Sequence, residues 1–132
     1  MRGSATVVFV LRVLIVFLAG GAGCVTRYLI GLWIGPRSFP YATLTVNLVG
    51  SFLIALVMET SLRVSSFPPN LRLALTTGFM GGLTTYSSFN YETTTLAATQ
   101  DAPARALLNV GLTVVGCVLA GLAGLALARR LA

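Results

Sequence analysis

Gly78-Phe79-Met80-Gly81-Gly82-Leu83-Thr84-Thr85-Tyr86-Ser87-Ser88-Phe89-Asn90-Tyr91-Glu92 decides how this chain is read. Glycines, hydroxyls, an amide and a carboxylate crowd a segment otherwise apolar enough to cross a bilayer. In hydrocarbon, an unpartnered polar group costs roughly several kcal/mol. These residues must therefore satisfy one another, bind a partner, or line a route for something polar. Gly81-Gly82 also invites a break in the helix, which would free backbone carbonyls at membrane depth. Irregular backbone survives there only where it is buried in protein or lines a cavity.

The rest of the chain agrees with a bilayer setting. Of its 132 residues, 56% are hydrophobic and only 9% are charged, against about 25% charged in an ordinary soluble domain. A membrane core needs about 20 helical residues per crossing. Spans over 10–33, 41–62, 71–98 and 104–128 use up the chain as one integral membrane domain. Gly35-Pro36-Arg37-Ser38-Phe39-Pro40, Ser65-Ser66-Phe67-Pro68-Pro69-Asn70 and Gln100-Asp101-Ala102-Pro103 supply the turns. Asn70 is the expected N-cap of the third span. The first residues resemble a signal peptide, but Arg12 interrupts the apolar run, which continues past any cleavage point. A core this thin calls for an oligomer.

Net charge is +6, and all nine basic residues are arginine. They form no cluster or stripe, so nucleic acid is not a partner. Most flank apolar runs, where orienting charges belong. Arg2, Arg12, Arg63, Arg72, Arg129 and Arg130 fall on one side and Arg37 and Arg105 on the other, which favours both termini inside. The chain has no histidine, which excludes Ser-His-Asp and Cys-His catalysis. Cys24 and Cys117, far apart in apolar runs, read as small packing residues. No enzyme is indicated.

Three spans carry polar residues at helical spacing. Thr43, Asn47, Gly50, Ser51 and Ile54 share a face of the second. Thr85, Ser88, Glu92 and Thr95 form a stripe on the third, where Tyr86 and Phe89 lie one turn apart. Asn109, Thr113 and Cys117 share a face of the fourth. Each set can be read as interhelical glue or as the wall of a path. Gly116, Ala120 and Gly124 read as a packing seam, and Arg27 as a snorkelling residue or an electropositive vestibule. Together the donors are predominantly neutral, with aromatic edges beside them. That suits a small anion that must keep moving, because a buried arginine would hold it too tightly.

Gly20-Gly21-Ala22-Gly23 with Arg27, Tyr41 to Phe52, and Gly78 to Phe89 resemble the Fluc (CrcB) fluoride channel family. The resemblance implies a passive fluoride-selective channel that exports cytoplasmic fluoride across a prokaryotic plasma membrane. It implies an all-α, four-span subunit with a broken third span, assembled in lipid as an antiparallel, dual-topology homodimer. Pairing with an oppositely oriented paralogue is the heterodimer alternative. Asn47 and Thr43 would be pore residues, Tyr86 and Phe89 the pore aromatics, and Ser87, Ser88, Glu92, Asn109 and Thr113 the polar track. Backbone carbonyls of Gly81 and Thr84 would hold a structural sodium ion, and Arg27 would match the family's first-span arginine. Tyr86 stands where phenylalanine is usual, and Ala42 where glycine is frequent. The rivals are a small multidrug exporter, which should carry a carboxylate in the first span, and a non-conducting assembly subunit. The first span has no carboxylate.

Overall fold

The computed structural model describes residues 2–99 and 103–131, with side chains from residue 5. The turn expected at Gln100-Asp101-Ala102 lies outside the described residues. Every regular element described is helical: α1 (Arg2–Ile34), α2 (Tyr41–Arg63), α3 (Pro69–Leu73), a π-helical segment (Ala74–Met80), α4 (Gly81–Leu83), α5 (Tyr86–Ala98) and α6 (Pro103–Leu131). Three helices, α1, α2 and α6, are each long and apolar enough to cross a membrane. Most of their large apolar side chains point outward; Phe9, Phe17, Trp33 and Leu107 are each more than two-thirds exposed. An outer surface of this kind needs lipid around it.

Several expected boundaries move. α1 begins eight residues before Val10, since nothing between Ala5 and Phe9 opposes a helix. The second and fourth spans match α2 and α6 closely. The third is not one helix but a stack of short segments. Asn70 does not cap it. Pro69 holds the first helical position behind Pro68, whose extended backbone starts the turn, because proline at that position loses no helical hydrogen bond. α1 closes at Gly35, where φ is +68° and the N–H reaches the Gly31 carbonyl at 3.0 Å.

Gly81 and Gly82 remain helical, Gly81 at φ −61° and ψ −35°. The extended residues come just after them, Thr84 at φ −82°, ψ 156° and Thr85 at φ −153°, ψ 117°. The glycines serve close approach instead. A Cβ on Gly82 would collide with the Gly20 carbonyl oxygen, and one on Gly23 with that of Phe79. α1 and the 78–82 segment thus touch backbone to backbone, as small-residue membrane seams allow. Gly124 approaches the Phe52 carbonyl in the same way, and Gly116 abuts Leu48. The fourth-span small-residue row is therefore the seam between α6 and α2, which is the most extensive helix contact. The core is small: Val46, Met80 and Leu83, with Ile30, Leu53 and Phe79 around them.

At one end Glu59 accepts from Arg63 at 2.8 Å and from Arg129 at 3.0 Å. The shared carboxylate ties the C-terminal ends of α2 and α6 together.

Candidate polar track and aromatic pair

Asn47 organises the site. Its Nδ2 donates to the Thr85 carbonyl at 3.0 Å, and its Oδ1 accepts the Thr85 N–H at 2.8 Å. The side chain is buried, so this reciprocal pair replaces the helical partners that Thr85 lacks. In a continuous helix the Thr85 N–H would bond the Gly81 carbonyl. Asn47 diverts it. The Ser88 N–H would likewise bond the Thr84 carbonyl, but it goes to Thr85 Oγ1 at 3.2 Å as the N-cap of α5. Two backbone oxygens, Gly81 O and Thr84 O, therefore lose their expected helical donors. Thr84 Oγ1 turns back to the Met80 carbonyl at 2.9 Å.

From Thr85 the hydroxyls run on. Thr85 Oγ1 lies 3.1 Å from Ser88 Oγ and 3.2 Å from Ser87 Oγ. Thr43 Oγ1 donates to Glu92 Oε1 at 2.8 Å, whereas the buried Glu92 Oε2 has no hydrogen-bond partner. On the other flank of α5, Asn109 Nδ2 donates to Thr93 Oγ1 at 2.8 Å, Thr93 donates to the Phe89 carbonyl at 2.7 Å, and Thr113 donates to Asn109 Oδ1 at 3.5 Å. Sequence reasoning missed Thr93. Its signal was the i, i+4 spacing from Phe89, which lets a threonine bond the carbonyl one turn back.

The expected residues divide between two cavities. One, of about 370 Å³, gathers Arg27, Thr43, Ser88 and Glu92 with Cys24 and Tyr28. Arg27 is half-buried and offers Nη2 to Cys24 Sγ at 3.8 Å. The other is a broad open groove of about 780 Å³, whose lining includes Asn47, Gly81, Thr84, Tyr86, Phe89 and Thr113. Thr85 lines both. Ser87 and Asn109 line neither: Ser87 is exposed beside Thr85, and Asn109 is buried against α5. The Tyr86 and Phe89 rings sit 5.7 Å apart with planes inclined at 55°. Tyr86 is 78% exposed and Phe89 7%, so one ring faces out of the chain and the other is anchored within it.

Fold and site together define a multi-pass helical membrane protein with neutral donors and tilted aromatic rings along an interrupted span. Residues 14–125 match the family described as "CrcB-like protein, Camphor Resistance (CrcB)", and the chain belongs to that family. It is 45% identical to the "Fluoride-specific ion channel FluC" of Geobacter metallireducens, over 92% of this chain and 99% of that protein. It is 49% identical to the protein of that name from Anaeromyxobacter sp. (strain K), over 92% and 98%. For the one from Geobacter sp. (strain M21) the identity is 48%, over 86% and 94%.

Proposed function

We propose that this protein is a passive, fluoride-selective ion channel of the prokaryotic plasma membrane, working as an antiparallel dimer of like subunits. The observation that carries this reading is the run of neutral hydroxyl and amide groups around the Thr84–Thr85 interruption, flanked by the Tyr86–Phe89 ring pair. The names carried by close relatives support the choice of fluoride.

Fluoride is small and costly to dehydrate, so donors must replace its water. Hydroxyls can rotate from a neighbouring oxygen to the anion and back. Asn47 spends one N–H on Thr85 and keeps a second uncommitted. Tilted rings present electropositive edges, which attract an anion without a full charge. The half-buried Arg27 raises local anion concentration at the mouth of the smaller cavity. Export then follows from the membrane potential. Fluoride enters acidified cells as neutral HF, dissociates, and leaves down its electrochemical gradient.

The Gly81 and Thr84 carbonyls fit the sodium ion that the family resemblance implies, because both have lost helical donors to named side chains. Hard carbonyl oxygens suit a small hard cation, and a bound one supplies fixed positive charge beside the path. The groove that holds these atoms is open on one side. Exposed polar backbone is expensive in lipid, which supports its being covered by a second subunit.

Purified protein in liposomes tests the function. Fluoride efflux should run down its gradient without chloride efflux and without a proton gradient. Liposomes that hold fluoride as tightly as empty ones reject the channel, and proton-driven export of an organic cation would replace it with the multidrug exporter.

A further inference from the structure

A second feature lies outside the track, sharing no lining residue with either of its cavities. Phe9, Arg12, Val13 and Val16 of α1 and Leu73 of α3 line a groove of about 370 Å³. All the lining except Arg12 is apolar. Phe9, Val13 and Val16 follow i, i+4, i+7, so they stand on one face of α1 with Arg12 beside them. The groove is thus a greasy channel along the helix with one guanidinium on its wall.

The depth of Arg12 follows from helix length. The apolar stretch Ala5–Ile34 is 30 residues, about 45 Å at 1.5 Å per residue. A bilayer core is about 30 Å thick. The part after Arg12 is long enough to fill that core by itself, which places Arg12 at headgroup level. Glu59 pairs with Arg63 and Arg129, and Glu92 with Thr43. No carboxylate among the described residues pairs with Arg12. Arg72, next to Leu73 in the chain, brings a second exposed guanidinium to the same end of the protein.

We infer that this groove binds one anionic phospholipid per subunit, its phosphate paired with Arg12 and an acyl chain lying along Val13, Val16 and Leu73. A free inorganic anion fits poorly, since beyond Arg12 the lining offers it no donor. A second copy of the chain fits poorly too, because it would bring like charge against like charge. The inference holds whatever the protein carries.

Native mass spectrometry of the full-length protein in mild detergent tests it, titrating phosphatidylglycerol against phosphatidylcholine with the same chains. The wild type should prefer phosphatidylglycerol. Arg12→Gln should weaken that preference about fivefold, as expected for one basic residue near a charged membrane surface. Arg12→Lys should keep most of it, and Arg37→Gln, in the loop after α1, should change nothing. Val13→Trp keeps the charge but fills the groove and should lower retention of both lipids, so a failure of Arg12→Gln to fold leaves the question decidable. An unchanged phosphatidylglycerol preference in Arg12→Gln, unchanged lipid retention in Val13→Trp, full competition by inorganic phosphate, or cross-linking of two copies through Phe9 would each overturn the assignment.

Discussion

Asn47 does two jobs with one amide. It holds both backbone groups of Thr85 and lines the open groove. Asn47→Ala should therefore abolish or strongly slow fluoride efflux and also lower thermal stability. Each buried group left without a partner costs about 1–3 kcal/mol. Asn47→Asp keeps the acceptor for the Thr85 N–H but loses the donor for its carbonyl. It should gain no stability over the alanine variant, since a buried carboxylate oxygen would face the Thr85 carbonyl without a donor, and it should conduct poorly, because the carboxylate repels an anion. Normal efflux in proteoliposomes for either variant would remove Asn47 from the path. The ring pair makes a separate test. Phe89→Ile keeps an apolar side chain in a buried site but loses the electropositive edge. It should fold and conduct much less fluoride. Tyr86→Phe removes one exposed hydroxyl, keeps the ring, and should conduct well. If the pair only packs, Phe89→Ile will instead show near-normal flux with at most reduced stability.

At the scale of elements, the third span is the part least legible from sequence. Its polarity was plain, and the irregular backbone does lie within a residue or two of Gly81-Gly82. The cause was read differently. Glycine freedom pointed to a break at the pair itself, whereas the pair is helical and the extension begins at Thr84. What decides this is a contact 38 residues away in sequence, Asn47 to Thr85, which no local pattern encodes. The π-helical turn over Ala74–Met80 was likewise invisible to spacing arguments built on 3.6 residues per turn. The glycines answer to α1 instead. Gly82→Ala should push two backbones apart at Gly20, at about 1–3 kcal/mol, while Gly21→Ala, with nothing within 4 Å of the added Cβ, should be neutral. Thermal unfolding in detergent compares them directly. Equal melting temperatures would mean that α1 and α4 do not touch as described.

For the whole molecule, hydropathy and turn residues were enough to place α1, α2 and α6, because burying apolar length in lipid depends on composition more than on detailed packing. Assembly is harder to read, and two physical terms oppose each other. Arg63, Arg129 and Arg130 end α2 and α6, and Arg72 begins the third span, at the end where Glu59 clamps α2 to α6. Arg2 and Arg12 open α1, and the alternation of spans puts them there too. Arg37 and Arg105 lie at the other end. That bias favours one orientation, with little help from acidic residues. Against it stands the open groove, whose polar backbone at Gly81 and Thr84 needs cover in lipid. A two-fold axis in the membrane plane would bring two such grooves together and join four carbonyls around one cation. The antiparallel homodimer requires both orientations of one chain. In a background of Cys24→Ala and Cys117→Ala, a single cysteine at Ser38 should react with a membrane-impermeant maleimide in about half the copies before permeabilisation, and so should one placed at Ser65. If Ser38→Cys reacts fully and Ser65→Cys not at all, the arginine bias has won. The groove must then be closed by a related subunit inserted the other way up.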